Sequence, residues 1–275
     1  MPGAGDLPAR LRRAGVSGVD TGALARTLYS ADASLYRVVP AAVAAPRHPD
    51  EVLAAVQVCR DLGVPLTVRG AGPSVAGNAV GPGLVLDLSR HLDRITDLDP
   101  DARTATVQPG VVHADLQRAA ARYGLRFGPD PSSADRCTVG GMIGNDACGP
   151  RALGYGRTSH NVLALDAVAG TGELLRLGPA GAGSHPPGGA ELAAARRAVA
   201  ADLGCVRTEF DTFTRQVSGY ALEHLLPERA DAAHRVLVGS EGTLAVVLGA
   251  TVRLVPEPAH RRLVVLGYPS MAEAA

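Results

Sequence analysis

The sequence predicts an α+β fold in two lobes, and three observations lead there. Aliphatic runs and helical spacings are mixed without the strand-helix-strand rhythm of a doubly wound parallel sheet. Alternating runs joined by turn residues mark antiparallel hairpins. Two glycine-rich stretches, residues 68–78 and 137–149, are separated by a hairpin and a helix, which sets them on either side of a cleft suited to one extended ligand. At 275 residues the chain can bury a sizeable core in one or two domains.

Residues 1–35 read as a helical leader, in which Leu7 and Leu11, then Leu24 and Leu28, mark short helices joined across Gly15 to Gly18. Ala41 to Pro46 is a short extended run. Pro49 to Leu62 carries a full set of helix signals: proline at the start, Asp50 and Glu51 in the first turn, Arg60 in the last and Gly63 as the stop. Val52, Val56 and Cys59 form its inward face. Pro65 to Val68 is a buried strand that empties into the first glycine stretch, and Leu84 to Ser89 is another, with Asp87 facing away from its leucines.

Ile95 to Gly110 reads as a hairpin turning at Asp99-Pro100-Asp101. Val112, Leu116, Ala119 and Tyr123 recur at helical spacing, and Gly124 is the stop. Phe127 to Ser133 is irregular chain. The runs 161–168 and 173–177 pair across Ala169 to Gly172. Gly178 to Gly189 is a flexible insertion by composition, and a helix follows from Glu191 to Leu203. The runs at 221–226, 235–256 and 261–268 are expected to add several aliphatic strands.

Composition removes whole classes of function. The formal charge is zero, with 27 basic and 27 acidic residues, so neither a nucleic-acid groove nor a polybasic membrane anchor is expected. Every basic residue is arginine, which excludes a P-loop lysine, a Schiff-base lysine and a kinase lysine. Cys59, Cys137, Cys148 and Cys205 form no C-x-x-C pair and lack zinc-site histidine spacing, so they read as reduced core thiols of a cytoplasmic protein with no metal ligands. No apolar run approaches the ~18 residues of a membrane helix, and the N-terminus has no apolar core of a secretory signal.

The first glycine stretch exposes several successive backbone N–H groups, a concavity that suits a phosphate. It is not a dinucleotide fingerprint: Gly70 and Gly72 open a G-x-G, but the third position holds Val75 and the next glycine is Gly77. The second stretch sets Gly140, Gly141, Gly144 and Gly149 among Ser132, Thr138 and Asn145, whose polar groups suit a ring edge or a polyol chain. Cys137 and Cys148 read there as packing residues, and Asn145 and Asp146 equally well as turn formers.

The segments RGAGPSVAGNAV, GPDPSSADRCTVGGMIGNDACG, GYGRTSHNVLALDAV, SGYALEHLL and VGSEGTLAVVLGATVRLVPEP, in this order, resemble the motifs of FAD-linked oxidases with a vanillyl-alcohol-oxidase or PCMH-type FAD domain. The nearest resemblance is to D-lactate, glycolate and D-2-hydroxyglutarate dehydrogenases, some fused to an iron–sulfur domain. It covers roughly residues 35 to 265. The resemblance implies FAD, with Gly70, Ala71, Gly72, Ser74 and Val75 on its pyrophosphate and Gly77 allowing close approach. Pro129, Asp130, Thr138, Gly141, Asn145 and Gly149 would line the ribityl and isoalloxazine part, and Glu241 and Gly242 would lie near the flavin. Residues 36–265 are then the PCMH-type FAD-binding domain.

Departures from the family pattern set further expectations. Ala71 stands where a third glycine is common, and Pro73, which has no N–H, stands where a threonine, a serine or a flavin-linking histidine occurs in relatives. Cys137 is one residue off the position of a flavin-linking cysteine. A noncovalent FAD is therefore expected. Residues 266–275 are expected to begin a truncated cap domain, so that the substrate cap is missing and the catalytic base and metal ligands lie beyond residue 275. The resemblance implies a small 2-hydroxy acid as substrate, an unassigned electron acceptor, room for a downstream iron–sulfur domain, and peripheral membrane association as an option for the full-length protein. A non-catalytic flavin-binding fragment and a UDP-N-acetylenolpyruvoylglucosamine reductase-like enzyme are the alternatives; the GSEGTL segment and the run after it fit the oxidases better. Should the chain alone oxidise a hydroxy acid, His160, Arg157 and Glu241 are the first residues to inspect.

Overall fold

The computed structural model describes residues 5–179, 189–213, 215–260 and 262–275. Residues 180–188 of the expected insertion lie outside the described residues. The leader forms α1 (Leu7–Arg13) and α2 (Ala23–Leu28). Leu7 and Leu11 are fully buried, whereas Leu24 and Leu28 stay exposed, so only the first helix is seated by its leucines.

The first lobe is a parallel sheet of β1 (Ala42–Ala44), β2 (Leu66–Arg69) and β3 (Leu84–Asp87) in the order β1-β3-β2. Helix α3 (Pro49–Leu62) crosses from β1 to β2, and Gly63 ends it in the left-handed region at φ +61°. That conformation costs an L side chain energy and a glycine almost none. Strands β1 and β3 are wholly buried, but β2 is only half-buried, because its end lines the cleft. Asp87 does turn away from the leucines. It is nevertheless buried, held by the Tyr29 hydroxyl and by Ser89 N at 2.8 Å and Oγ at 2.6 Å. Burial, with the Asp87 bond adding to it, pushes the Tyr29 phenol up to about 12.

The second lobe is an antiparallel sheet built on β9 (Ala245–Pro256), in the order β4-β5-β9-β7-β8. Its hairpins are β4 (Ile95–Asp99) with β5 (Thr104–Val107), and β7 (Val162–Ala169) with β8 (Leu174–Leu177). Strand β6 (Leu125–Phe127), which takes in Phe127 of the segment expected to be irregular, pairs with the far end of β9. Helix α4 (His113–Ala121) precedes β6. The core of this lobe gathers Val107, Phe127, Met142, Ile143, Leu165 and Val252, and burying each contributes roughly 1.5–3 kcal/mol. Val168, Val246 and Leu248 of the same sheet pack into the core of the first lobe, so the lobes share apolar surface.

Two expectations are corrected, and one stretch gains an element. Within the second glycine stretch residues 139–145 form α5 (Val139–Asn145), capped by Thr138, whose Oγ1 accepts from Gly141 N at 3.2 Å. Of the runs expected to be strands, 235–256 yields β9 from Ala245 on, but 222–225 and 235–237 are 3₁₀ instead, and 262–268 is irregular with Leu263, Val264 and Val265 exposed, since among the described residues no strand pairs with them. The helix expected over 191–203 ends earlier, as α8 (Ala190–Ala200), and a separate α9 (Leu203–Glu209) follows. The short helices α6 (Ala152–Tyr155), α7 (Thr158–Asn161) and α10 (Met271–Ala274) complete the described elements.

Candidate cofactor site

The two glycine-rich stretches line one cavity of about 370 Å³ between the lobes. The first enters from the end of β2. Gly72 and Gly77 have φ of +76° and +85°, so the chain turns where side chains are strained. Among the described residues, no hydrogen bond within the chain takes the backbone N–H of Ala71, Gly72, Ser74 or Val75. These four donors beside a cavity fit the anionic diphosphate of a dinucleotide. Pro73 interrupts the row, as its imino nitrogen dictates.

The second stretch comes close because its glycines omit side chains where backbones touch. A methyl group at Gly70 would collide with Thr138 Oγ1, and one at Gly140 would sit 2.7 Å from Pro109 Cβ. The cap of α5 and the first loop are therefore in van der Waals contact. At the other end of α5, Gly239 N donates to Ile143 O and Glu241 N to Gly144 O, both at 2.8 Å. These bonds satisfy carbonyls that a helix terminus leaves open. Glu241 and Gly242 hold positive φ of +54° and +71°, and the Asn145 amide donates to Glu241 Oε1 at 2.8 Å.

Of the residues expected at the cofactor, Gly70, Ala71, Gly72, Ser74, Val75, Thr138, Gly141, Asn145, Glu241 and Gly242 line this cavity. Gly77, Pro129, Asp130 and Gly149 do not. Gly77 lies against the Tyr36 ring, Pro129 O accepts from His113 Nε2 at 2.8 Å, and Asp130 pairs with Arg151 at 3.3 Å and leaves no room for a side chain at Gly149. Cys137 and Cys148, read as packing residues, also line it; Cys137 is buried and burial holds its thiol above the ordinary value, while Cys148 is half-exposed, and Cys205 is exposed and outside any core.

Arg69 is the cation of the cavity wall, but its guanidinium is turned toward the leader: Nη1 donates to Ala31 O at 2.9 Å and to Ala79 O at 3.2 Å, and the group lies 5.2 Å from the Tyr29 ring centroid. A leader with no legible role in the sequence thus braces the root of the first loop. A second cavity of about 500 Å³ shares Asn145, Ser240 and Glu241 with the first and contains Arg157, His224 and Arg235. The sequence offered no signal for Arg235, since its neighbourhood reads as an ordinary aliphatic run. His160 lines neither cavity, and its Nδ1 accepts from Arg157 N at 3.3 Å.

Among the described residues no group of three or more His, Cys, Asp or Glu is placed to hold a metal ion, and no helix is long and apolar enough to cross a membrane.

Residues 40–178 match the sequence profile of a family described as FAD binding domain. The chain is 34% identical over 253 residues to the glycolate oxidase subunit GlcD of Bacillus subtilis, covering 91% of this chain and 44% of that protein. It is 33% identical to the D-2-hydroxyglutarate dehydrogenase of Pseudomonas putida, over 96% of this chain and 27% of the relative. A D-lactate dehydrogenase of Archaeoglobus fulgidus is 32% identical over 84% of this chain and 42% of its own length. The chain thus spans less than half the length of these relatives. Among solved structures, an alkyldihydroxyacetonephosphate synthase superposes with TM-score 0.63 at 19% identity, covering 88% of this chain and 38% of the other. A carbohydrate oxidase from Microdochium nivale superposes with TM-score 0.64 at 15% identity, over 91% and 43%.

Proposed function

The chain belongs to the FAD-binding-domain family of FAD-linked oxidases, and on that premise we propose that it is the flavin-holding part of a dehydrogenase that oxidises a D-2-hydroxy acid. Bound FAD would supply a hydride acceptor at N5, chemistry that no side chain provides. The residues of this chain would hold and orient it. Ala71, Gly72, Ser74 and Val75 would donate their free N–H groups to the diphosphate, while Thr138, Gly141 and Asn145 on α5 and the turn at Glu241 and Gly242 would flank the rest.

The observation that carries this reading is that free backbone donors and the wall of α5 face the same cavity. The substrate class is drawn from the relatives, which include a glycolate oxidase subunit, a D-2-hydroxyglutarate dehydrogenase and a D-lactate dehydrogenase. No residue of the cavity is assigned here as the base. Positioning of a substrate carbon against the flavin can supply up to ~7–11 kcal/mol of such a barrier, but with no base among these residues to take the hydroxyl proton the chain by itself is expected to bind FAD without enzyme-like turnover.

The test is a titration of the chain with FAD, followed by anaerobic addition of D-lactate, glycolate or D-2-hydroxyglutarate to the loaded protein and to a longer chain extended to the length of the relatives. Saturable FAD binding, with flavin bleaching confined to the longer chain, supports the reading. Failure to bind FAD, or no bleaching by any of the three acids in the longer chain, would overturn it.

A further inference from the structure

We propose that the second cavity binds the carboxylate of a short monocarboxylic acid through Arg157 and Arg235, with the remainder of the acid directed at the wall shared with the cofactor cavity. The identity of that acid as the 2-hydroxy acid substrate rests on the function proposed above. The cavity and its chemistry do not.

Arg235 is the starting point. It lines the cavity and is partly buried, yet among the described residues its side chain makes no ion pair, and its Nε is buried without a hydrogen-bond partner. The charges that act on it are Arg253 and Arg229, of its own sign, and Asp146. A guanidinium withdrawn from water with two cations and one carboxylate for company is costly unless an anion reaches it. Its forked N–H groups match a carboxylate in geometry.

Arg157 lines the same cavity, with a side chain 16% exposed. Its Nε lies 3.3 Å from Asp146 Oδ2, and its Nε and Nη1 are buried with no hydrogen bond. Asp146 is already occupied: it accepts from Ser159 N at 2.8 Å and Ser159 Oγ at 3.1 Å. One shared carboxylate therefore serves Arg157 and is the anion acting on Arg235. His224 adds a neutral polar edge, since burial and the nearby arginines push its imidazole down to about 4, and its Nδ1 is buried without a partner.

The carboxylates of the cavity decide the charge of the ligand. Asp211 is paired with Arg229 at 2.8 Å, Glu241 with the Asn145 amide, and Glu223 is held toward its protonated form by burial and by Asp211. With Asp146, four carboxyl groups border the space. A second negative charge on the ligand would face them, whereas one carboxylate satisfies the arginines and leaves the rest of the molecule neutral. The hydroxyl on the carbon next to the carboxylate would be directed at Asn145, Ser240 and Glu241, which belong to both cavities. Lactate and glycolate fit this description, and dicarboxylates and inorganic phosphate do not.

The experiment is calorimetric titration of the chain, without and with FAD, using D-lactate, D-2-hydroxyglutarate and inorganic phosphate as probes. The expected result is saturable D-lactate binding in both states, with the dicarboxylate and phosphate weaker by about tenfold or more. Arg235→Gln should weaken lactate by about tenfold while its FAD titration stays unchanged, and that titration also reports that the variant is folded. If the glutamine variant does not fold, Arg235→Lys, which keeps the charge and loses the fork, is expected to show the intermediate loss. Undetectable lactate binding, equal binding by the variant, phosphate binding as tight as lactate, or loss of lactate binding on FAD loading would each overturn the proposal. Failure of FAD to bind would count against the function proposed above and leave the lactate titration of the unloaded chain as the readout here.

Discussion

Asn145 and Glu241, ninety-six residues apart, are joined by a hydrogen bond of 2.8 Å from the Asn145 amide to Glu241 Oε1, beside a backbone bond of 2.8 Å from Glu241 N to Gly144 O. This pair closes the C-terminal end of α5 against the 239–242 turn and forms the partition between the two cavities. Both residues belong to the candidate cofactor wall and to the candidate carboxylate site.

The pair should be energetically coupled. Asn145→Ala and Glu241→Ala are each expected to destabilise the chain, and the double variant by less than their sum, with a coupling of about 0.5–1.5 kcal/mol, the range of an ordinary intramolecular hydrogen bond, because this one is exposed to water. Urea unfolding of the four proteins measures it. Strict additivity would mean that the backbone bond alone holds the turn.

Gly70 should not tolerate a side chain. Alanine there collides with Thr138 Oγ1, and relieving that overlap is expected to cost about 1–3 kcal/mol and to weaken FAD binding by parting the loop from α5. Thr138→Ala removes the obstructing oxygen but also the cap on Gly141 N, at a cost of about 1 kcal/mol. The double variant should therefore be more stable than the sum of the single changes predicts, as read from thermal unfolding.

FAD should be held without a covalent bond. Proline at position 73 offers no nucleophile, and the buried Cys137 thiol is held above its usual titration range, so little thiolate forms near neutral pH. Acid precipitation of the loaded protein is expected to release yellow flavin into the supernatant. Colour that survives washing of the pellet would contradict this.

Stability should decline on mild acidification. In the unfolded chain His224 titrates near its ordinary value of about 6.5, whereas burial, Arg235 and Arg229 push it down to about 4 in the fold. Between those values the unfolded state takes up a proton that the folded state refuses. Its contribution is thus intact above pH about 6.5 and is lost as pH falls toward 4, with a slope of up to about 1.4 kcal/mol per pH unit. His113, His160 and His234 are lowered by burial and act in the same sense. Glu223, raised by burial, acts in the opposite sense, because the fold keeps its proton and this advantage fades as pH rises above the ordinary value of 4.5. Urea midpoints measured from pH 7 to 5 should fall, and the fall should be shallower in His224→Gln; an unchanged slope in that variant would remove His224 as a cause.

The sequence by itself determined the elements whose signals are local. Proline, acidic first turn and Gly63 delimit α3, and Asp99-Pro100-Asp101 turns the β4–β5 hairpin, because caps and turns are settled by residues a few positions apart. Order and spacing of the motifs likewise carried the family and, with it, FAD. Only the tertiary structure decided what the second glycine stretch is: residues 139–145 form α5 with Thr138 as its cap, and Gly140 passes within van der Waals reach of Pro109, a neighbour thirty-one positions away. Apolar runs at 235–238 and 263–266 read as strands but are not, since a strand exists only where a neighbour supplies its hydrogen bonds, and that neighbour is not encoded locally. The same reason hid Arg235, and its grouping with Arg157, in the sequence. Seventy-eight positions separate them, and only the fold sets both around a single space, where Asp146 is the one carboxylate shared between them.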